Sequence, residues 1–355
     1  MDAPSARIGY VPISPALGAP GDRRRFVYYA RKRNLRFEIA DPSQSYDLVV
    51  LSQLADLSVW SRYPRGKLVY DLIDSYLAIP RTDLKGCLRG LAKFVSRQSR
   101  YPQLDHWRAI AKMCRRADAV VCATEEQRHD ISRFCANVHL ILDVQTSVTR
   151  TTKQDYAAHR PFRLVWEGLP QTLGSLERIR PVLEQLQREH PIELHLVTDR
   201  LYHRFLGRYG RTDTAEIARR IFSGAEFHEW REDDCAEIIC SCDLAVIPLA
   251  TDDPFTAGKP ENKLLLFWRL GMPVVTSATP AYARAMKGAG LQLACRNDAE
   301  WRANLESLVG DGAARREAGR RGKAYAEAEF GEERLLARWD AVMATLGFPC
   351  GGPVS

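Results

Sequence analysis

The stretch Asp243–Met286 reads DLAVIPLATDDPFTAGKPENKLLLFWRLGMPVVTSATPAYARAM. Its apolar runs predict a buried strand at Leu244–Leu249, a helix at about Asn262–Leu270 and a second strand at Pro273–Ser277. Gly271 is a natural end for the helix, because glycine tolerates the positive φ that helix C-termini often require. A strand, a helix and a strand in this order predict one unit of a parallel sheet.

The loop before this helix concentrates polar and charged side chains at the helix N-terminus: Lys259, Glu261, Asn262 and Lys263. Unpaired backbone amides and the positive end of the helix dipole favour an anion such as phosphate at this point. Two lysines strengthen that attraction. The stretch therefore predicts an anion-binding site beside a sheet edge.

The end of the helix carries a short motif. Gly271, Pro273, Val274 and Val275 match the G-x-P-V-V motif of the donor site in GT-B glycosyltransferases, so the segment resembles family 4 of that group. The resemblance implies an α/β fold of two Rossmann-like domains facing across a cleft (GT-B). It also implies transfer of a sugar from a nucleotide-sugar donor with retention. No cofactor beyond that donor is expected, because protein cations can carry the diphosphate.

The rest of the chain alternates short apolar runs with amphipathic ones, which predicts two doubly wound units. Residues 1–150 are predicted to form an acceptor domain and residues 161–330 a donor domain, with the polar stretch 146–160 as linker. By resemblance, a helix in residues 331–347 crosses back to the first domain. Strands are predicted at Arg7–Pro12, Leu35–Ile39, Leu48–Leu51, Leu68–Leu72, Ala119–Ala123, Val138–Leu142, Phe162–Trp166, Glu193–Val197, Ala225–Trp230 and Leu291–Ala294.

Composition excludes several classes of protein. The 355 residues are 45% hydrophobic and 27% charged, which is typical of a globular chain and not of a disordered one. No apolar run is long enough to span a bilayer and no secretory signal is evident, so we expect a cytoplasmic protein. The nine cysteines form no C-x-x-C pair and the eight histidines lack ligand spacing, so no metal site is expected.

Charge is uneven along the chain. Residues 1–160 carry 26 Lys and Arg against 16 Asp and Glu, a net charge of +10, and the remainder has −3. The first half is therefore expected to meet an anion, for which nucleic acid, an anionic membrane and a phosphorylated substrate are candidates. Nucleic acid is the weakest of these, because core packing and a solvated face explain the mixed aromatic and basic residues.

A glycine-containing loop follows the first predicted strand. Gly18 and Gly21 allow the backbone to approach a ligand closely, and Asp22 is suited to cap the next helix. Arg23 and Arg24 then stand at the start of that helix. Their guanidinium groups either contact a phosphate or an acidic acceptor, or form an ordinary solvated basic face.

Two carboxylates follow a predicted central strand. Asp71 and Asp74 stand at its carboxyl end, where parallel sheets bind ligands and where an acceptor hydroxyl would lose its proton. Both are candidate catalytic residues. The alternative is that they cap the next helix or pair with nearby arginines.

The segment 84–97 is a basic amphipathic helix by its pattern. Lys85, Arg89, Lys93 and Arg97 recur every four residues beside an apolar stripe. Helices of this kind either lie on anionic membranes or pack their apolar stripe on their own domain. The first alternative would place the protein peripherally on the inner face of a membrane.

The second domain carries the predicted donor contacts. Gly168 and Gly174 lie where family 4 enzymes have a glycine loop, but the arginine and lysine that follow it there are missing, so Lys259 and Lys263 would supply the charge. Gly258 and Leu266 replace two family glutamates, which leaves Glu261 to reach the ribose or sugar. Further donor contacts are predicted at strand ends: Thr198, Asp199, Arg200 and Ser277.

Three functions fit these features. The leading one is a glycosyltransferase acting on a glycan or lipid-linked acceptor, in cell-envelope polysaccharide or glycoconjugate synthesis. A nucleotide-sugar 2-epimerase of the same fold is the first alternative. A non-catalytic partner that has kept the fold is the second, because of the missing family residues.

Overall fold

The computed structural model describes residues 6–80, 85–103, 105–205 and 209–348. The chain divides into two compact units. Unit 1 consists of Met1–Val144, Gly258–Pro260 and Glu332–Ser355, and unit 2 consists of Gln145–Ala257 and Glu261–Gly331.

Unit 1 is built on a six-stranded parallel sheet in the order β2-β1-β3-β4-β5-β6. Its strands are β1 Ile8–Val11, β2 Glu38–Ile39, β3 Leu48–Ser52, β4 Lys67–Asp71, β5 Ala119–Cys122 and β6 Val138–Leu140. Its first six helices are α1 Pro20–Arg23, α2 Phe26–Lys32, α3 Leu57–Trp60, α4 Lys85–Val95, α5 His106–Arg116 and α6 Glu125–Ser132.

Local chemistry explains where two of these helices begin. The Asp105 carboxylate accepts hydrogen bonds from the first amides of α5. Thr124 and Gln127 form the reciprocal capping box that their spacing predicts at the start of α6, which satisfies amides that have no partner inside the helix.

Unit 2 has a second six-stranded parallel sheet, in the order β11-β8-β7-β12-β13-β14, and a separate antiparallel hairpin of β9 and β10. Its strands are β7 Phe162–Glu167, β8 Ile192–Thr198, β9 Leu201–Phe205, β10 Tyr209–Asp213, β11 Ala225–Glu229, β12 Leu244–Ile247, β13 Val274–Ser277 and β14 Ala294–Cys295. Its helices are α7 Arg180–Glu189, α8 Thr214–Ile221, α9 Cys235–Cys240, α10 Pro254–Ala257, α11 Asn262–Arg269, α12 Pro280–Gly288, α13 Asp298–Gly310 and α14 Gly312–Phe330.

The stretch quoted first folds as its pattern predicts, into β12, α11 and β13. Helix α11 is buried along most of its length, and Gly271 ends it with a φ of +73°. Two glycines of α14 allow the close approach of α11. A Cβ on Gly322 would lie 2.2 Å from the Trp268 ring, and one on Gly319 would lie 2.2 Å from the Gly271 carbonyl oxygen.

Some predicted elements differ from the structure. The helix expected to begin at Arg23 and Arg24 is interrupted at Arg25, whose backbone is not helical. The hairpin β9–β10 was not predicted at all. The stretch 146–160 contains no helix or strand, as expected of a linker, but it packs on unit 2: Lys153 Nζ donates to the carbonyl oxygens of Cys240 and Cys242 at 3.1 and 2.6 Å.

The last helix, α15 (Glu332–Thr345), belongs to unit 1. The Trp339 indole stacks on the Tyr29 ring at 5.7 Å, and Asp340 accepts hydrogen bonds from Arg33 and Tyr29. Within the described ranges, no helix is long and apolar enough to cross a membrane.

Candidate functional site

The strand order of unit 2 identifies one edge as a ligand site. Strands β7 and β12 are neighbours, but the chain continues from them toward opposite edges of the sheet: β7 is followed by β8 on one side, and β12 by β13 on the other. In open parallel sheets, ligands bind outside the carboxyl ends of strands at such a switch point. Gly168 directly follows β7, and the loop after β12 leads to α11 and Lys263.

Lys263 and Gly168 are in close contact at this switch point. The Lys263 ammonium lies 4.7 Å from the centre of the Trp166 ring. A Cβ on Gly168 would lie only 2.3 Å from Lys263 Nζ. The glycine therefore leaves the space that the ammonium occupies, and the indole provides a cation–π contact for it.

Other predicted donor residues lie along the same sheet edge. Ser277 Oγ accepts a hydrogen bond from the Leu249 amide at 2.9 Å, which joins the loops after β12 and β13. The Thr198 side chain is fully buried. Burial raises the pKa of Asp199, with a smaller contribution from Glu229. Arg200 pairs with Asp213 of the unpredicted hairpin, so that interaction could not be anticipated.

Glu261 and Asn262 begin helix α11. Glu261 is 7% exposed, and together with Glu167 it contributes, after burial, to raising the pKa of Tyr282. The Asn262 carbonyl oxygen accepts a hydrogen bond from Gln145 Nε2. Leu266, which stands where the family has a glutamate, is 1% exposed and offers no polar atom to a ribose.

In unit 1, Asp71 is engaged by an arginine. Arg25 Nε and Nη2 donate to the two Asp71 carboxylate oxygens at 2.7 and 2.6 Å, and Arg25 also contacts Asp143. The Arg25 side chain is fully buried. This bidentate pair joins the start of α2 to the end of β4. It agrees with the alternative prediction for Asp71, that the carboxylate pairs with an arginine.

Asp74 lies three residues beyond β4. Its amide donates to Gln53 Oε1 at 3.1 Å, and its carboxylate is hydrogen bonded to the Tyr76 hydroxyl. Burial raises the pKa of Asp74, while the positive charge of Lys259 opposes that rise. The next residue, Ser75, donates to the Gly258 carbonyl oxygen at 2.7 Å. Lys259, predicted as a donor contact, thus lies in unit 1 beside Asp74.

The loop after β1 is organised by Asp22. Its carboxylate accepts hydrogen bonds from the Ile13 and Ser14 amides and from the Tyr10 hydroxyl. The expectation that it caps the following helix is wrong, because Asp22 lies within α1 and Arg25 holds the N-cap position of α2. A Cβ on Gly21 would lie 2.4 Å from Ile13 Cδ1, so a side chain at this position would displace the end of the Ile13 side chain.

The other predicted residues of this loop are less constrained. A Cβ on Gly18 would meet nothing within 4 Å. Arg23 ends α1. Arg24 follows it, and its Nε is buried without a hydrogen-bond partner among the described residues. Of the two arginines predicted to contact an anion, Arg24 is the one with a buried donor that no acceptor within the described ranges satisfies.

The part of the chain that the structure describes holds no group of three or more His, Cys, Asp or Glu side chains able to bind a metal ion. The chain matches no protein-family model and no curated protein.

Solved structures do match, at low sequence identity. Anabaena HepE, in complex with UDP and glucose, has a TM-score of 0.65 and 13% identity, with 96% of this chain and 99% of HepE covered. A UDP-forming α,α-trehalose-phosphate synthase from Burkholderia xenovorans has a TM-score of 0.57 and 12% identity, with 96% and 84% covered. TarM has a TM-score of 0.56 and 10% identity, and 83% of this chain spans 54% of TarM.

These likenesses concern architecture. The two six-stranded parallel sheets, with their helices, match both HepE and the trehalose-phosphate synthase over nearly the whole chain. The chain therefore has the two-unit α/β fold of the GT-B glycosyltransferases.

Proposed function

We propose that the protein is a glycosyltransferase that uses a nucleotide-sugar donor, with UDP as the first nucleotide to test. Unit 2 binds the donor at its switch point, and unit 1 binds the acceptor near Asp74. The strand order of unit 2 supports the position of the donor. The Asp74 carboxylate beyond β4 supports the position of the acceptor.

The Lys263 ammonium against Gly168 is the observation that carries the proposal. It places a cation at the sheet edge where parallel sheets bind nucleotides. A departing nucleoside diphosphate gains negative charge, and a cation positioned in advance stabilises that charge. HepE and the trehalose-phosphate synthase support the choice, since the first binds UDP and the second forms it.

Asp74 is the proposed partner of the acceptor hydroxyl. Its raised pKa makes the carboxylate a stronger hydrogen-bond acceptor and base than an ordinary aspartate. Lys259 contributes the opposing positive charge beside it. Asp71 has both carboxylate oxygens bound to Arg25, so we assign it the role of holding β4 and α2 together.

The finer features rest on the family resemblance and on the basic first half of the chain. They are retention of configuration, a glycan or lipid-linked acceptor, a role in cell-envelope polysaccharide or glycoconjugate synthesis, and contact with an anionic membrane surface. A non-catalytic nucleotide-binding protein is the second candidate. The buried Leu266 and the missing arginine–lysine pair favour it.

Incubation with a panel of UDP-sugars, followed by nucleotide and sugar analysis, separates these functions. Release of UDP supports transfer or hydrolysis, and an isomeric UDP-sugar indicates epimerisation instead. Binding of UDP with no turnover over a broad acceptor panel favours the non-catalytic protein. The Lys263→Ala variant should lose turnover, whereas Lys287→Ala, which changes an exposed lysine of α12, should retain it.

A further inference from the structure

Two cations lie one turn apart on α4, in unit 1. Lys93 Nζ lies 3.4 Å from His106 Nε2, and the Arg89 guanidinium donates to the Tyr76 hydroxyl at 3.2 Å. Both side chains are half-buried. Like charges at this helical spacing repel each other, and partial burial adds a desolvation cost.

Nearby carboxylates offset these costs only in part, through the charge of Asp56 near Lys93 and the charge of Asp74 near Arg89. Among the described residues, neither Arg89 nor Lys93 forms an ion pair with a carboxylate. His106 is 2% exposed and its Nδ1 has no hydrogen-bond partner in the described part of the chain; the same holds for Trp107 Nε1. The two cations are thus hydrogen bonded to the neutral Tyr76 hydroxyl and His106 ring and not to a carboxylate, so an anion would supply the negative charge that the cluster lacks.

Aromatic rings hold the Arg89 guanidinium in place. Tyr76 stacks on Trp107 with centroids 5.3 Å apart and an interplanar angle of 21°. The Arg89 guanidinium carbon lies 5.0 Å from the Tyr76 ring centre and 5.9 Å from that of Trp107. A guanidinium held by cation–π contacts is oriented in advance.

The cluster is continuous with the proposed acceptor residue. Arg89 donates to the Tyr76 hydroxyl, and that hydroxyl is hydrogen bonded to Asp74. The Arg89 charge also acts on the Asp74 carboxylate. An anion bound by the cations would thus be carried by the molecule whose hydroxyl meets Asp74.

We propose that Arg89 and Lys93 form a subsite for a phosphate group carried by the acceptor. A phosphate offers three or more oxygens that accept hydrogen bonds, and its negative charge would neutralise the two cations. The inference rests on the proposed function, because it takes Asp74 as the acceptor side. It adds the chemical class of the acceptor, a phosphorylated compound.

Inorganic pyrophosphate is the probe, titrated by calorimetry into protein that is saturated with UDP so that the Lys263 site is filled. Wild type should bind it, and Arg89→Met and Lys93→Met should each weaken binding about tenfold or more, as expected for one charge-assisted contact. The matched control is Lys112→Met, which changes an exposed lysine of the neighbouring helix α5 and should bind like wild type.

Pyrophosphate binding that is absent in wild type, or unchanged in both variants, would overturn the subsite. Folding is checked by thermal denaturation, in which Lys93→Met should melt no lower than wild type because it removes an unpaired, partly buried charge. Separate UDP titrations keep the two proposals distinct: UDP binding should be unchanged in Lys93→Met. UDP itself could fail to bind, while pyrophosphate binds in the absence of UDP and loses affinity in Lys93→Met. In that case the donor proposal fails and the phosphate subsite is supported.

Farnesyl diphosphate then distinguishes the source of the phosphate. Binding about tenfold tighter than pyrophosphate, with the same loss in Lys93→Met, supports the subsite and assigns a lipid-linked acceptor. Equal affinity, with the same loss, supports the subsite and assigns a soluble one.

Discussion

At the scale of single residues, the charge on Lys93 changes within a pH range that binding experiments can cover. Burial, and then the charge of Arg89, lower its pKa to about 8, while Asp56 opposes the shift. His106 has its pKa lowered to about 3, chiefly by burial, so it stays neutral. The ammonium is therefore lost as pH rises through about 8, and a bound anion moves that transition upward.

Pyrophosphate affinity should accordingly fall between pH 7 and pH 10 in wild type. In Lys93→Met the same change of pH should leave affinity level or increase it, because pyrophosphate itself gains charge as pH rises. Calorimetry at four pH values measures both. Parallel pH profiles in the two proteins would show that Lys93 does not contact the anion.

Asp74 is expected to act as a base or hydroxyl acceptor. Asp74→Asn should lower kcat by about 10²-fold or more, the usual contribution of a general base. Because burial raises the pKa of Asp74, wild-type activity should fall as pH is lowered through that pKa, and the variant should lack this limb. Asp41→Asn, at an exposed position, is the control. Wild-type turnover in Asp74→Asn would remove Asp74 from the mechanism.

Asp71 is expected to contribute to stability. Removing one partner of a buried ion pair leaves an uncompensated charge, so Arg25→Met should lower the free energy of unfolding by about 3–5 kcal/mol. Asp71→Asn should do the same while UDP affinity stays unchanged. Urea denaturation and UDP titration measure both. A stable Asp71→Asn protein without turnover would instead support the catalytic role predicted from its place after the strand.

Local signals explain which of these residues could be found from sequence. Lys263 and Asp74 stand beside predicted element ends, so their positions follow from short-range patterns. The partner of Asp71 is Arg25, 46 residues earlier in the chain, and no local pattern shows that contact. The four-residue spacing of Arg89 and Lys93 was visible, but the aromatic rings beneath them come from other elements.

At the scale of elements, the loop after β7 offers a test with a built-in control. A Cβ on Gly168 would lie 2.3 Å from Lys263 Nζ, whereas one on Gly174 would meet nothing within 4 Å. The Cβ on Gly168 would also lie 3.0 and 3.1 Å from two atoms of the buried Trp166 ring. Gly168→Ala should therefore displace the flexible lysine end and weaken UDP binding about tenfold, with some loss of stability from the pressure on that ring. Gly174→Ala should bind UDP like wild type. Equal affinities in the two variants would contradict the placement of Lys263 at the donor site.

Element prediction succeeded where burial and capping act locally. Strands β12 and β13, helix α11 and the capped helix α6 follow from apolar runs and end signals. The hairpin β9–β10 was not predicted. Its sequence lacks the alternation of apolar and polar residues and the two-residue turn signal that identify hairpins. The non-helical backbone of Arg25 was also missed, since its buried contacts with Asp71 and Asp143 outweigh helical propensity.

At the scale of the whole molecule, the division of charge agrees with the division of roles proposed for the two units. The basic residues of the first half include Arg89 and Lys93, and the mildly acidic second half contains Lys263 at a sheet switch point. Architecture could be predicted from the sequence because alternating strands and helices determine it. Substrate identity could not, because it depends on side chains brought together from distant positions.

The most direct test of the central claim is calorimetric titration of UDP into wild type, Lys263→Ala and Lys287→Ala. We predict that wild type and Lys287→Ala bind UDP with equal affinity and that Lys263→Ala binds at least tenfold more weakly. Absence of UDP binding in wild type, or equal binding in Lys263→Ala, would contradict the donor site assigned to unit 2.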